Sequence, residues 1–233
     1  DDKNLMDVFK TGGNFHSSIA KLVFNLPCEA EEVAELYSTQ RQAAKAVTFG
    51  IMYGAGANKI SQQVTADSGK NFSKQDAQEV IDDYFRQFHK LKKWIDHSSK
   101  YIMDNGFIYS QYGRKRRLPN VRSDNQGIQS HEVRSGLNFL VQSVASDINL
   151  LGAIDTHNHI KSINKTKEMR IFALVHDSIL AEVDECEVDA YKEIVQSCIQ
   201  KDRGVYIPGC PVGCDFDVGD DYSFGKFEKM YDI

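Results

Sequence analysis

Apolar residues recur at helical spacing through most of the first half of the chain. Ser73 is a good N-cap for a long helix, whose apolar positions continue to Met103. Because Phe85, Phe88 and Trp94 fall on the apolar positions of this helix, we expect all three rings to lie in the core. The first half is therefore predicted to be almost entirely helical.

The hydrophobic period changes after Met103. An earlier helix is predicted over 40–54, where glycines end it, and a later one over 130–163. Short hairpins are predicted around Gly113 in 107–119 and over 171–183, where two buried β-type runs flank a polar tip. This order of elements predicts an α+β fold with a mostly helical first half.

Composition narrows the class of protein. Of 233 residues, 41% are hydrophobic and 26% charged, which excludes collagen-like and disordered chains. No run approaches the ~18 unbroken apolar residues of a membrane helix, so we expect no membrane partner. Five cysteines, an odd number, fit free thiols in a reducing compartment and predict a cytoplasmic location. The net charge of −5 argues against a uniformly basic nucleic-acid surface, but 114–117 is a local basic run.

A stripe of two cations and two aromatic rings runs along the helix predicted at 40–54. Arg41, Lys45, Phe49 and Tyr53 are spaced by four, which places their side chains on one helix face. A nucleoside triphosphate needs both kinds of group, because cations meet its phosphates and rings face its sugar and base. The alternative is an ordinary amphipathic helix, whose cations extend to solvent and whose rings lie in the core. Spacing alone leaves both open.

The tip of the second hairpin is predicted to be three polar residues, His176, Asp177 and Ser178. His176 and Asp177 stand where two apolar runs turn. A carboxylate there is rigidly placed and suits Mg²⁺, which binds one or two carboxylates and keeps several waters. The alternative is a polar turn, since Asp is common in turns for hydrogen-bonding reasons. One carboxylate cannot hold two metal ions, so a second would have to come from elsewhere.

Taken together, these segments resemble DNA polymerase family A, the group of bacterial DNA polymerase I and its phage relatives. The resemblance covers nearly the whole chain in the family's order. Its residues are Phe15-His16, Arg41-x₃-Lys45-x₃-Phe49-Gly50-x₂-Tyr53-Gly54 (motif B), Tyr112-Gly113-Arg114-Lys115-Arg116-Arg117-Leu118-Pro119, Arg134-x₃-Asn138-x₃-Gln142 and Val175-His176-Asp177 (motif C).

The resemblance implies a division into two subdomains. A fingers subdomain would occupy 1–125 and carry motif B, and the C-terminal part of a palm subdomain would occupy 126–233 and carry motif C. No Asp-Tyr-Ser-Gln-Ile-Glu-like motif A stands in the chain. We therefore expect the second catalytic carboxylate, the thumb and any exonuclease to lie in the remainder of the polymerase. The isolated chain is expected to be inactive, and the complete enzyme to come from a phage and act in the host cytoplasm.

The resemblance also implies roles for the residues around the incoming nucleotide. Arg41 and Lys45 would hold the triphosphate of a dNTP and offset charge on the leaving pyrophosphate. Phe49 would pack on the deoxyribose, and Tyr53 would stack near the templating base. His16 corresponds to a phosphate-contacting histidine of the family.

The metal and the DNA would be held by other residues. Asp177 would be a ligand of the two Mg²⁺ ions that assist attack of the primer 3′-hydroxyl on the α-phosphate, and His176 would sit near the primer terminus. One cation and two amides of a single helix would contact the minor groove of the primer-template. The basic hairpin would contact the phosphate backbone of the DNA. The helix residues are Arg134, Asn138 and Gln142; those of the hairpin are Arg114, Arg116 and Arg117.

Two alternatives remain at this stage. The family usually has Glu after the motif C Asp, whereas Ser178 stands here, as in single-subunit phage RNA polymerases. Phe49-Gly50 argues against that enzyme class, which typically has Met-Thr there. The other alternative is a DNA- or nucleotide-binding module without turnover. The retained Lys45 and Asp177 argue against it.

Overall fold

A computed structural model of the chain describes residues 2–10, 14–52, 54–205 and 212–221. Outside these ranges lie Asp1, Tyr53 and the segments 11–13, 206–211 and 222–233. The fold is α+β, as predicted. In chain order the elements are α1 (Lys3–Lys10), α2 (Phe15–Phe24), α3 (Val33–Leu36), α4 (Ser38–Met52), α5 (Ala57–Ser68), α6 (Lys74–Gln87), α7 (His89–Asn105), β1 (Phe107–Tyr109), β2 (Lys115–Arg117), α8 (Gln126–Ser162), β3 (Met169–Val175), β4 (Ser178–Val183) and α9 (Val188–Gln200).

The chain divides into two compact units, and the boundary falls inside α8, between Val144 and Ala145. The first unit contains α1 to α7, the β1–β2 hairpin and the first part of α8. The second contains the rest of α8, the β3–β4 hairpin and α9. The assignment of 1–125 to fingers and 126–233 to palm stays a prediction.

Helices α2, α4, α5 and α6 pack around the core of the first unit. The faces that they bury are aliphatic or small, and include the fully buried Ile19, Ala44, Val47 and Val64. Small side chains on α4 therefore let neighbouring helices approach closely. This packing fixes which face of α4 remains at the surface.

The long helix predicted from Ser73 to Met103 is two helices. Ser73 does cap the first of them, with a reciprocal capping box. The prediction is wrong at Phe88, whose φ of −110° and ψ of 57° are not helical. The Phe88 ring is fully buried and packs on Tyr84 at 4.7 Å between centroids. The carboxylate of Asp2 accepts hydrogen bonds from two backbone N–H groups of the first turn of α7, an N-cap from a distant segment.

The first part of α8 packs closely on α7 and on the β1–β2 hairpin. A methyl group at Gly136 would lie 2.6 Å from Cδ1 of Ile102 and 2.7 Å from Cδ1 of Leu118. Both neighbours are buried, at 0% and 1% exposure, so neither has room to move. Glycine is therefore required at this helix crossing for space.

We expect Gly136→Ala to lower the melting temperature of the chain. Overpacking costs about 1–3 kcal/mol, which exceeds the helix-propensity gain of about 1 kcal/mol from Gly to Ala. Thermal unfolding followed by circular dichroism measures the effect. Ile102→Val removes the nearest methyl group, so adding it to Gly136→Ala should restore part of the loss. An unchanged melting temperature in the single variant would contradict this packing.

The second unit is built on the β3–β4 hairpin, whose antiparallel register runs from Met169↔Val183 to Val175↔Ser178. Its core lies at the base of the hairpin, where Met169 packs with Ile160 of α8 and with Ile194 and Cys198 of α9. These contacts pack the hairpin firmly at its base. Its register shifts between Ile171 and Ala173.

Helix α8 is the longest element of the described ranges. By length and composition, an 18-residue window within it, of mean hydropathy 1.3, could cross a membrane. Gly136 packs against α7, and a methyl group at Gly152 would meet Ile199 of α9 at 2.3 Å. These contacts pack α8 against α7 in the first unit and against α9 in the second. The expected absence of a membrane partner stays a prediction.

Candidate functional site

Helix α4 presents the predicted stripe at the surface of the first unit. Lys45 is exposed, Phe49 is 51% exposed and Arg41 is half-buried. The opposite face of the helix, including Ala43 and Val47, is fully buried. The ring of Phe49 is therefore not in the core, contrary to the alternative interpretation. Tyr53 lies outside the described residues.

The N-terminal end of α2 lies against this stripe. Nε of Arg41 donates a hydrogen bond to Oγ of Ser17 at 3.2 Å, and its guanidinium donates another to Oδ1 of Asn14, also at 3.2 Å. Asn14 is the N-cap of α2 and accepts from the backbone N–H of Ser17. These contacts hold Arg41 in place beside the positive end of the α2 dipole. The sequence analysis missed Asn14 and Ser17, although an Asn just before a helix is a recognisable cap signal.

His16 joins the same face from α2. Its ring lies 5.3 Å from the Phe49 ring and 5.4 Å from the Phe15 ring, between centroids. Burial lowers the pKa of His16, and the positive charges of Arg41 and Lys45 lower it further. Nδ1 of His16 is buried without a hydrogen-bond partner among the described residues. A neutral imidazole with an unused polar atom next to two cations suits a site for an anionic ligand.

The pKa of His16 gives a pH dependence of stability. Because the folded-state pKa lies below the unfolded value of about 6.5, its contribution to stability is complete above that pH and is lost as the pH falls through the folded-state pKa. We expect His16→Gln to flatten the fall in melting temperature between about pH 7 and pH 5. The control His131→Gln, at an exposed position of α8, should retain the wild-type slope. Equal slopes in His16→Gln and wild type would contradict this environment for His16.

Arg134 of α8 lies directly over the end of α4. Gly54 follows that helix with a positive φ of 66°, and a methyl group on it would lie 1.8 Å from Cδ of Arg134. Arg134 and Asn138 are half-buried, and Gln142 is exposed, on successive turns of α8. The structure therefore brings the first of these predicted DNA contacts against motif B. Its spacing along the sequence gives no sign of that contact.

The basic run forms the second strand of the β1–β2 hairpin. Arg114, Arg116 and Arg117 are exposed. The guanidinium of Arg116 donates to Oγ of Ser135 at 2.7 Å and lies over the Phe139 ring at 5.8 Å. Arg116 is thus tied to α8 at Ser135 and Phe139, which directly follow two of the helix residues predicted to contact DNA.

In the second unit, His176 and Asp177 form a two-residue turn between Val175 and Ser178. The predicted tip of three residues is wrong by one, because Ser178 pairs with Val175 and begins β4. His176 has a φ of 56°, in the left-handed region that few side chains adopt. Both turn residues are exposed, as predicted for a polar tip. The predicted burial of the flanking strands is wrong near the tip, because the base of the hairpin supplies the core. The exposed apolar side chains are Phe172, Leu174 and Val175.

The carboxylate of Asp177 is a hard oxygen donor of the kind that Mg²⁺ prefers, so it fits as one metal ligand. It lines a cavity of about 870 Å³ in the second unit, together with Asp215 and Asp217 of the segment 212–221. Within the described ranges, no three His, Cys, Asp or Glu side chains are grouped so as to hold a metal ion.

Comparison with known proteins identifies the family of this chain. The sequence profile of DNA polymerase family A matches residues 1–223, and the chain belongs to that family. The DNA polymerase of Escherichia phage T5 is 46% identical over 251 residues, which cover 99% of this chain and 29% of that protein. DNA polymerase I of Caldicellulosiruptor bescii is 30% identical over 208 residues, covering 89% and 23% respectively.

A solved structure supports the same relationship. The POL domain of Pol1 from M. smegmatis, in complex with DNA primer-template and dNTP, matches with a TM-score of 0.75 and 27% identity. The match covers 90% of this chain and 34% of that one. The chain therefore spans less than a third of the two polymerases and about a third of the solved domain. The family match favours the DNA polymerase interpretation over the phage RNA polymerase alternative.

Proposed function

We propose that this chain supplies the nucleotide-binding helix and one metal-binding carboxylate of a DNA polymerase, which adds deoxynucleotides to a primer 3′-hydroxyl under template direction. The observation that carries the proposal is the convergence of Arg41, Lys45 and His16 beside the exposed ring of Phe49, in a chain of family A. A triphosphate joined to a flat base matches this set of groups.

The incoming dNTP would lie along the exposed face of α4. Lys45 is free of the core and extends to solvent, where it can reach phosphate oxygens. Arg41 is held by Ser17 and Asn14, so its charge is positioned before the ligand arrives. Such preorganised charge stabilises the negative charge that develops on the leaving pyrophosphate. Phe49 would pack on the sugar, and Tyr53 would stack near the templating base.

Asp177 would hold Mg²⁺, with the second carboxylate supplied by the remainder of the polymerase. When bound, Mg²⁺ supplies positive charge to the attacking and leaving oxygens of nucleotidyl transfer. The turn fixes the Asp177 carboxylate at an exposed tip, where it can enter a site shared with another segment. His176 beside it would lie near the primer terminus.

The DNA primer-template is the proposed macromolecular partner. The solved relative is a complex with DNA primer-template and dNTP, which supports these two ligands for this chain. Arg134, Asn138 and Gln142 would contact the minor groove, where acceptors common to all base pairs report pair geometry rather than sequence. The exposed arginines of the basic hairpin would contact the phosphate backbone. The host cytoplasm is the proposed location.

Primer extension by the complete polymerase that contains this chain tests the proposal. We expect template-directed addition of deoxynucleotides to a primer with Mg²⁺ present. Ribonucleotides supplied without a primer, on a promoter template, should give no product. Primer-independent RNA synthesis would support the phage RNA polymerase alternative, and DNA binding without any synthesis would support a module without turnover.

Phe49 provides a test of the sugar contact. In this family, Phe at this motif B position accompanies rejection of dideoxynucleotides, and Tyr accompanies their acceptance. We expect Phe49→Tyr to raise incorporation of dideoxynucleotides relative to deoxynucleotides, because the added hydroxyl replaces the missing 3′-hydroxyl as a hydrogen-bond partner. Single-nucleotide competition assays measure the ratio. The exposed ring of Phe172, in the other unit, gives a matched control: Phe172→Tyr should leave the ratio unchanged.

A further inference from the structure

The outer face of α7 carries aromatic rings that the core does not use. Trp94 and Tyr101 are each 37% exposed, so the prediction that Trp94 lies in the core is wrong. At about 100° per residue, Lys90, Trp94, His97 and Tyr101 share an arc of about 60° on this helix. All four are exposed. The residues at the buried positions of α7 lie to one side of this arc and include Ser98 and Ile102.

The β1–β2 hairpin extends this face. The Tyr101 ring lies 6.1 Å from that of Phe107, which lies 5.5 Å from that of Tyr109, between centroids. Nζ of Lys115 is 3.8 Å from the Phe107 centroid and 5.4 Å from that of Tyr109. The register pairs Tyr109 with Lys115 and Phe107 with Arg117. Each of the two rings of β1 is thus paired with a cation of β2, and Tyr109 is 48% exposed.

The charge around this face is predominantly positive, in a chain whose net charge is −5. Lys93 and Lys100 flank the arc on α7, and both are exposed. Asp104 flanks it at the end of the helix. The other acid of α7, Asp96, lies on the opposite side of the helix, where it pairs with Lys92 at 2.5 Å. A surface of exposed rings bordered by cations suits a polyanion whose flat groups are free to stack.

We propose that this surface, the α7 face, binds an unpaired nucleic-acid strand. Its residues are Lys90, Trp94, His97, Tyr101, Tyr109 and Lys115. Stacking needs open base faces, which a single strand offers and a duplex hides, while the cations follow the phosphates. Residues 90 to 101 span about 16 Å of helix, and the ring cluster continues beyond it, which is room for several nucleotides. The proposed polymerase function identifies the strand as template ahead of the primer terminus.

Binding of DNA by the complete polymerase, without nucleotides, tests the α7 face. Fluorescence anisotropy would compare a primer-template carrying a long single-stranded template overhang with one carrying a two-nucleotide overhang. We expect Tyr101→Ala with Tyr109→Ala to weaken binding of the long-overhang DNA about 10- to 100-fold, and to leave the short-overhang Kd unchanged. Tyr101→Phe with Tyr109→Phe keeps the rings and should bind like wild type.

A second pair of variants tests the contribution of the cations to DNA binding. Lys115→Gln should reduce the slope of log Kd against log salt on the long overhang by about 0.7, the value for one single-strand phosphate contact. Lys92→Gln changes the same residue type on the opposite side of α7, above the Phe85 ring at 5.4 Å, and should change nothing. Equal weakening on both DNAs, or none on either, would overturn the proposal. Because no turnover is measured, failure here is distinguishable from failure of the proposed DNA synthesis.

Discussion

Asp177→Asn should lower the rate of nucleotide addition by about 10³-fold in the complete polymerase, without lowering its melting temperature. The substitution preserves size and the ability to form the turn, because an Asn side chain can bond its own backbone as Asp does. It removes the negative charge that would hold Mg²⁺. A loss of about 4 kcal/mol in transition-state stabilisation corresponds to this rate factor. Single-turnover primer extension and thermal melting should be measured on the same preparation.

A control at the other end of the hairpin makes this prediction specific. Asp184 is exposed and directly follows β4, so Asp184→Asn makes the same chemical change away from the tip. Its rate should equal that of wild type. Ser178 replaces the family's usual Glu, so the next position in the chain offers no carboxylate in place of Asp177. If Asp177→Asn retains both the rate and the melting temperature, then Asp177 is only a turn residue.

Lys45→Ala should reduce nucleotide addition by about 10²- to 10³-fold, the usual effect of removing one group that stabilises transition-state charge. Lys45 is exposed and makes no contact needed for the core, so folding should be unaffected. The Kd for primer-template should change less than about twofold, because the proposed ligand of the α4 stripe is the triphosphate rather than the duplex. Single-turnover rates over a range of dNTP concentrations, with DNA binding measured separately, provide the comparison.

Lys59 serves as the matched control for Lys45. It is exposed on the adjacent helix α5, so Lys59→Ala removes the same charge from the same unit without touching the stripe. Its rate and Kd should stay at wild-type values. A fall in DNA affinity with unchanged turnover in Lys45→Ala would place Lys45 on the duplex instead of the nucleotide.

Elements whose signals are local could be predicted from the sequence. Helix α4 follows from small and apolar residues at helical spacing, and the stripe emerges on its exposed side because Ala43 and Val47 occupy the opposite side. The Ser73 cap is a local pattern that the structure reproduces with Asp76. The position of the turn follows from two apolar runs around a polar tip, although Ser178 of that predicted tip belongs to β4.

Features that depend on distant contacts could not be predicted in this way. The helix break at Phe88 arises because its ring is buried beside Tyr84 and because Asp2 caps the next helix, and no local pattern encodes either contact. The predicted burial of Trp94 was wrong for a related reason. The chain changes direction between α6 and α7, so the apolar face of α6 does not continue along α7, and Trp94 is exposed.

The residues of the candidate site also differ in whether local sequence spacing could place them. Spacing placed Arg41, Lys45 and Phe49 on one face. The approach of His16 to that face came only from the family resemblance, because it belongs to another helix. Arg134 over Gly54 is also a contact between distant segments. Sequence spacing could therefore supply the side chains of α4, whereas the three-dimensional fold supplied their neighbours.

Photolabelling with an azido-deoxyadenosine triphosphate tests most directly the claim that α4 binds the incoming nucleotide. The complete polymerase would be bound to a primer-template whose next template base is thymine and whose primer lacks a 3′-hydroxyl, then illuminated and digested with trypsin. We predict that the label lies in the peptide 46–59, which contains Phe49, and that excess dATP prevents labelling. Label that dATP displaces from peptides elsewhere, with 46–59 unmodified, would contradict the proposed nucleotide site.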